Sequence, residues 1–238
     1  MFFEKNQPVH IISRAVEGIK IFEREEDCYR FIFHFQAANL GKRGLNVKGI
    51  DATKAGKSLL QGEEISQRLI TTQHIPLVHL LDFSLVMNHY HFYLLPNIEN
   101  SLSLFMQKLN NGFAKYYNLK HNRKDALFGS RYKSILVETE FQSDAVSRYI
   151  NIINPLDVFQ PGWRVKGLTD WEEASTFLNN YQFSSFPDKV GQRNSKILAP
   201  AEILERYSFK LDNKEDYQKF TEEFLRQKLI SFQPLFLE

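Results

Sequence analysis

Aromatic and aliphatic residues alternate with polar ones from Val86 to Leu94, and this period of two predicts a β-strand. Residues two apart in a strand point the same way, so His89 and His91 are expected side by side on one face. The aromatic residues that alternate with them are expected on the other face, in a core. The apolar stretch Leu77–Val86 predicts a partner strand, and together the two stretches predict a β-hairpin.

The pattern in the rest of the first 160 residues predicts further strands and helices around this hairpin. Strands are predicted at Pro8–Ser13 and Ser134–Thr139, and amphipathic helices at Glu25–Leu40, Leu102–Tyr117 and Phe141–Ile153. The last of these helices is expected to end at the Asn154-Pro155 pair, because the residue before a proline avoids helical angles. A loop or insertion is predicted at about residues 41–62, which are rich in Gly and Lys, and a short helix at Glu63–Thr72.

This order of elements predicts an α+β fold, the ferredoxin-like split βαβ sandwich, with helices on one face of an antiparallel sheet. Beyond residue 160 the pattern changes to short helical pieces, with two more amphipathic helices at Pro200–Tyr207 and Lys214–Leu229. We therefore expect a main domain over residues 1–160, interrupted by the insertion at about 41–62. A mainly helical C-terminal extension is expected over residues 161–238.

Composition narrows the class of protein. The chain has 238 residues, 43% of them hydrophobic, which is enough for a large buried core. Its single cysteine, Cys28, excludes an intrachain disulfide framework and fits a reducing compartment. The sequence has neither the pattern of a signal peptide nor an apolar run of membrane-spanning length, so we expect a cytoplasmic protein without membrane association.

Two short motifs resemble ligand-binding sites and also have an ordinary structural interpretation. Two imidazoles spaced as His89-x-His91 can hold one divalent cation, although ordinary half-buried strand histidines have the same spacing. Gly56-Lys57-Ser58 looks like the end of a nucleotide-binding P-loop. That motif requires a glycine five residues earlier, where this chain has Asp51, so we do not interpret it as a P-loop.

A basic stretch follows the hairpin. Between Ser101 and Ile135 there are seven basic residues and one acidic residue, with aromatic residues among them. Cations for phosphates and rings for unpaired bases are typical of proteins that bind single-stranded or hairpin nucleic acid. A solvated helix face followed by a basic loop has the same composition. The segment Phe128–Lys133 is the sharper signal, because its glycine allows close approach of a ligand and Arg131 and Lys133 could both reach phosphates.

Four motifs occur in order along the chain: Val9–Arg14, His89-Tyr90-His91, Phe128–Lys133, and Ser147–Ile150 leading into Asn154-Pro155. Together they resemble the transposases associated with repetitive extragenic palindromes (REPs). These belong to the HUH (histidine-hydrophobe-histidine) single-strand DNA transposases with one catalytic tyrosine. The resemblance extends from about residue 8 to residue 156, and more loosely to residue 186. It implies that residues 1–160 form an HUH endonuclease domain.

The resemblance also implies a mechanism and a set of site residues. His89 and His91 would bind one Mg²⁺ or Mn²⁺, with the amide of Asn154 as the third ligand. Tyr149 would attack the scissile phosphate of hairpin DNA, leaving a 5′-phosphotyrosine and a free 3′-hydroxyl. The residues expected to hold the DNA are Arg14, Lys115, Arg131, Tyr132 and Lys133. The protein would act as a monomer or a homodimer.

One spacing departs from the family pattern. The amide usually follows the tyrosine by four residues, on the same helix face, whereas Asn154 follows Tyr149 by five. Either the helix contains a one-residue bulge, or it ends and a turn places Asn154, or the third ligand lies elsewhere and catalysis is impaired. Two other functions therefore stay open: a hairpin-binding protein that has lost catalysis, and a hydrolase that uses the two histidines to activate water.

Overall fold

Four strands form one antiparallel sheet in the computed structural model of the chain. The structure describes residues 5–39, 50–65, 75–129, 131–207, 214–226 and 233–237. The strands are β1 (Val9–Arg14), β2 (Val78–Val86), β3 (His89–Pro96) and β4 (Lys133–Leu136), and their order in the sheet is β2-β3-β1-β4. This is the strand order of the ferredoxin-like fold, so the predicted fold class is confirmed.

The helices of the first part of the chain are α1 (Glu25–Asn39), α2 (Ile50–Leu60), α3 (Ser101–Lys120) and α4 (Glu140–Arg148). A π-helical segment, Tyr149–Ile153, joins α4 to α5 (Asn154–Phe159). The helices that follow are α6 (Trp163–Lys166), α7 (Trp171–Asn180), α8 (Phe186–Lys189), α9 (Ala201–Tyr207), α10 (Lys214–Leu225) and α11 (Gln233–Phe236). None of the helices in the described residues is long and apolar enough to cross a membrane.

The first face of the sheet packs on α1 and α3. Strand residues such as Ile11 and Phe92 are fully buried there against Phe31, Phe105 and Phe113 of the two helices. Aromatic side chains in this part of the core contact one another both edge to face and stacked.

The second face packs on α4, α5 and the helices of the C-terminal extension. Tyr93 and Leu95 of β3 are buried there with Ile150, Leu156 and Trp163. The expectation that helices cover only one face is therefore wrong. The extension removes the apolar residues of the second face from water.

Two predictions about segments need correction. Residues 50–60 are not part of a loop but form α2, whose Ala52 and Ala55 pack on Phe33 of α1. A Cβ on Gly56 would lie 1.9 Å from the Tyr29 carbonyl oxygen, so this glycine allows the two helices to touch. The predicted helix at Glu63–Thr72 lies mostly outside the described residues, and residues 63–65 are not helical.

The helix after β4 does not end at Ile153 as predicted. A capping box at Thr139 and Gln142 starts it, and helical backbone continues from Glu140 to Phe159 without a break. Asn154, before the proline, has φ −68° and ψ −45°, which is a helical conformation. Widening to a π-helical segment just before Pro155 accommodates a proline that would clash with a regular α-helix.

Candidate active site

The two histidines of β3 lie on the second face of the sheet, as the period of two predicted. His89 is the cross-strand partner of Arg14, and His91 is the partner of Ile12, so these side chains share one face. The ring centres of His89 and His91 are 5.1 Å apart. Two imidazoles that bind one divalent ion at about 2.1 Å have ring centres roughly 5 Å apart, so this pair is spaced for a shared metal.

Each histidine has a hydrogen-bond partner at Nδ1. His89 Nδ1 lies 2.7 Å from Asn88 Oδ1, and His91 Nδ1 lies 3.0 Å from Nε2 of His10 on β1. Burial lowers the pKa of His89 to about 3 and the pKa of His91 well below its ordinary value, and neighbouring charges add to both shifts. Both rings are therefore neutral near pH 7, as metal-binding imidazoles must be.

Tyr149 lies in the π-helical segment, beside the histidines. Its ring centre is 5.6 Å from that of His91 and 6.1 Å from that of His10. The side chain is 1% exposed, and Phe236 of α11 stacks on its ring at 4.3 Å. Burial raises the pKa of the Tyr149 hydroxyl to about 12, against the opposing effect of a charged and hydrogen-bonded neighbour, Arg164.

The π-helical segment accounts for the spacing between Tyr149 and Asn154. The backbone N–H of Asn154 donates to the carbonyl of Tyr149, five residues back, where an α-helix would use a residue four back. The extra residue is absorbed within one widened turn, so Asn154 follows Tyr149 on the same face. Of the three explanations left open by the sequence, the helix bulge is the one that the backbone adopts.

Asn154 is a buried amide with unused hydrogen-bonding capacity. Its Oδ1 accepts from Nη2 of Arg164 at 3.3 Å, and its Nδ2 has no hydrogen-bond partner. The nearby amide of Asn151 is different, because it donates to Asp82 and accepts from Ser185. The unpaired atom of Asn154 is therefore a donor, and the atom that could bind a cation is Oδ1, which accepts one hydrogen bond from Arg164.

No three His, Cys, Asp or Glu side chains among the described residues are grouped for metal binding. A third protein ligand beside the two histidines would therefore be a neutral oxygen in that part of the chain. The side-chain oxygen of Asn154 fits this role, and imidazole with amide oxygen is a donor set that divalent cations accept.

The expected DNA-binding residues fall into three places. Arg14 and Lys133 lie on the histidine face of the sheet, since Arg14 pairs with His89 and Lys133 pairs with Ile12. Arg131 and Tyr132 line a groove of about 770 Å³ between α3 and the segment that leads into β4. Lys115 is exposed on α3, which packs on the opposite face of the sheet from Tyr149.

Gly129 allows a close contact within the protein itself. A Cβ there would lie 2.7 Å from Cγ1 of Val16, so the small residue allows the segment to pack on the end of β1. The adjoining bridge between Ala15 and Phe128 holds the two segments together. This packing forms one wall of the groove that Arg131 and Tyr132 line.

Comparison with known families bears on this arrangement. Residues 45–152 match a family described as transposase, IS200 like. Over this span the chain is similar to IS200-like transposases. No curated protein and no solved structure matched the chain.

The transposase match covers the hairpin with His89 and His91, the basic stretch, and the helix up to Tyr149. Three residues that lie beside these side chains are outside the matched span: His10, Asn154 and Arg164. This similarity supports a DNA-cleaving enzyme with DNA as its partner. His89, His91 and Tyr149 lie together at one face of the sheet.

Sequence reasoning missed three contributors to the candidate site. His10 was assigned only to a strand, although its period of two with Ile12 and Arg14 would have placed it on the histidine face. Arg164 and Phe236 gave no signal, because they reach Tyr149 from the C-terminal extension through tertiary packing alone.

Proposed function

We propose that the protein is a metal-dependent single-strand DNA endonuclease and strand transferase that acts at hairpin palindromic DNA through a 5′-phosphotyrosine intermediate. The observation that carries the proposal is the π-helical segment, because it aligns Asn154 with Tyr149 on a helix packed against His91. The five-residue spacing between Tyr149 and Asn154 was the one argument for a catalytically impaired protein. The π-helical turn explains this spacing without a loss of alignment.

In this proposal His89, His91 and Asn154 hold one Mg²⁺ or Mn²⁺. Such an ion polarises the scissile phosphate and offsets the charge that develops there. The hydroxyl oxygen of Tyr149 attacks phosphorus and loses its proton. The bond from phosphorus to the 3′ oxygen breaks, and that oxygen takes up a proton. Because the phosphodiester energy is kept in the phosphotyrosine, the strand is rejoined by the reverse reaction without ATP.

The DNA would enter along the histidine face of the sheet. Arg14 and Lys133 are exposed on that face at the cross-strand rows of the two histidines, where they would bind the backbone beside the scissile phosphate. Arg131 and Tyr132 would hold the hairpin at the groove, with the ring of Tyr132 stacked on a base. Lys115 would bind more distant phosphates of the stem, and repetitive extragenic palindromes are the proposed substrate.

The test is covalent capture of DNA. The protein is incubated with a hairpin oligonucleotide that carries a 5′ overhang and with Mn²⁺, and a protein–DNA adduct is sought on a denaturing gel. We expect an adduct with the wild-type chain and none with Tyr149→Phe. Tyr93→Phe is the matched control, because Tyr93 is a buried tyrosine on the same face whose hydroxyl donates to Ser143; it should form the adduct normally.

Two outcomes would replace the proposal with its alternatives. Tight hairpin binding without an adduct, in either metal, would establish a binding protein that has lost catalysis. Cleavage that persists in Tyr149→Phe but disappears in His89→Ala would establish a hydrolase that uses water as the nucleophile.

A further inference from the structure

His10 is a third buried histidine beside the proposed metal pair. It lies on β1 with no exposed surface, and its ring stacks on that of His91 with centres 5.2 Å apart. Both of its ring nitrogens are engaged: Nε2 lies 3.0 Å from His91 Nδ1, and Nδ1 bonds to the backbone carbonyl of Leu235. With both nitrogens used, His10 is not itself placed to be a metal ligand.

These contacts determine where the protons are. A carbonyl oxygen can only accept, so His10 Nδ1 must carry a hydrogen toward Leu235. A neutral His10 then has its lone pair on Nε2 and can only accept from His91 Nδ1. His91 must therefore carry its own hydrogen on Nδ1, which leaves the lone pair on Nε2. That nitrogen is the one with which His91 would bind a metal.

His89 is held in the same tautomer by a residue next to it in the sequence. Its Nδ1 donates to Oδ1 of Asn88, the preceding residue, and its Nε2 is left with the lone pair. Asn88 is half-buried at the hairpin turn, whereas His10 is fully enclosed. The stronger constraint therefore acts on His91, and it comes from a residue 81 positions away.

We propose that His10 is a positioning residue that holds His91 in the tautomer with a lone pair on Nε2, through a hydrogen-bond chain that begins at the Leu235 carbonyl. The inference rests on the proposed metal site, and it adds residues from both ends of the chain to that site. Neither His10 nor Leu235 lies within the residues that match the transposase family.

Two substitutions at His10 separate its hydrogen-bonding role from its packing role. His10→Gln keeps an acceptor at the position of Nε2, whereas His10→Leu fills a similar volume with no acceptor. His34→Leu is the matched control, since His34 is a buried histidine on α1, on the other side of the sheet. Each full-length variant is first checked for folding by circular dichroism.

The first measurement is the tautomer of His91 without metal, from long-range ¹H–¹⁵N correlation spectra of the histidine rings. We expect the form protonated at Nδ1 in the wild type, in His10→Gln and in His34→Leu. His10→Leu should shift His91 toward the form protonated at Nε2, which a free imidazole prefers. A folded His10→Leu protein whose His91 keeps its proton on Nδ1 would overturn the inference.

The second measurement is Mn²⁺ binding in the absence of DNA, followed by electron paramagnetic resonance. Loss of an outer-shell partner typically weakens metal binding about 10- to 100-fold, and we expect that loss for His10→Leu, with His10→Gln within a few fold of wild type. Equal Mn²⁺ affinity in wild type and His10→Leu would also overturn the inference. A wild-type protein that binds no Mn²⁺ would instead refute the proposed metal site, while the ring spectra would still decide the role of His10.

Discussion

Arg164 lies between the groups that the proposed reaction uses. Its guanidinium donates to the Asp157 carboxylate through Nε at 2.8 Å and Nη2 at 2.6 Å, and Nη2 also lies 3.3 Å from Asn154 Oδ1. It hydrogen bonds with the Tyr149 hydroxyl as well. A planar group with five donors can serve three acceptors at once, which a lysine ammonium cannot do in the same geometry.

We expect Arg164→Lys to slow formation of the DNA adduct about 100-fold, the usual cost of removing a positioned donor from developing charge. Hairpin affinity should change little, because the other basic residues on the DNA-facing surfaces are untouched. Adduct formation is followed over time on denaturing gels, with Arg206→Lys on the exposed side of α9 as the control. A rate equal to that of the control would remove Arg164 from the chemistry.

At the residue scale, sequence periodicity was sufficient to predict which side chains of a single strand share a face. The period of two in β3 predicted the shared face of His89 and His91, which is confirmed. It could not predict the tautomer of His91, because the proton positions depend on His10 and Leu235, which meet His91 only in the folded chain. The role of Arg164 depends in the same way on a contact between α6 and the π-helical segment.

The π-helical segment is the element that produces the five-residue spacing between Tyr149 and Asn154, where a regular α-helix would have four. It holds five buried residues, Tyr149–Ile153, between two stretches of α-helix. Such a turn arises when one residue is added to an α-helix whose two ends are both held by tertiary contacts. Here the N-terminus of α4 is held by the capping box of Thr139 and Gln142, and α5 packs on β2.

Changing the length of this segment should test the alignment directly. Deleting Ile152 restores a four-residue spacing, although Pro155 still bends the helix, so Mn²⁺ affinity of the folded variant should stay within a few fold of wild type. Inserting an alanine after Ile152 rotates Asn154 by about 100° relative to Tyr149, so Mn²⁺ affinity should fall more than about tenfold. Affinities are measured by electron paramagnetic resonance on proteins shown to be folded by circular dichroism.

The deletion also removes a buried isoleucine, which costs about 3 kcal/mol of stability, so unfolding is measured alongside. If folded insertion and deletion variants bind Mn²⁺ equally, the turn does not determine the position of a ligand. If both lose Mn²⁺ equally, the segment is needed as a whole rather than for the spacing that it produces.

At the element scale, hydrophobic periodicity predicted the hairpin and most helices but failed in two places. It missed α2 because glycines and lysines dilute the apolar face that Ala52 and Ala55 present to Phe33. The sequence pattern predicted a helix end at Ile153 because Pro155 breaks regular α-helices. No local sequence pattern predicts the π-helical turn. In both cases the packing against a distant element outweighs the local preference.

On the scale of the whole molecule, the C-terminal extension is part of the core. Lys189 of α8 pairs with Asp82 of β2 at 2.8 Å, and both side chains are buried. Asp82 also accepts from Asn151 of the π-helical segment and from Ser185. The pair therefore links the extension, the sheet and the helix that carries Tyr149.

Lys189→Met should leave the buried Asp82 carboxylate without its cation and lower the free energy of unfolding by about 3 to 5 kcal/mol. Urea denaturation followed by circular dichroism measures the change. Lys196→Met is the control, because Lys196 pairs with Glu64 on the surface and should contribute under about 1 kcal/mol. Equal losses of unfolding free energy in the two variants would show that the buried pair stabilises the protein no more than the surface pair does. Adding Asp82→Leu to Lys189→Met should recover much of the lost stability.

The contact between His10 and Leu235 also has a consequence for the newly made protein. The two residues are 225 positions apart, so a growing chain can form the sheet and its hairpin long before the carbonyl that orients His10 exists. The same holds for Phe236, which covers the Tyr149 ring. A chain that stops short of residue 235 would therefore fold with an uncovered Tyr149 and an unconstrained His10. During synthesis the sheet can thus fold first, and the contacts around Tyr149 and His10 are completed only at the end.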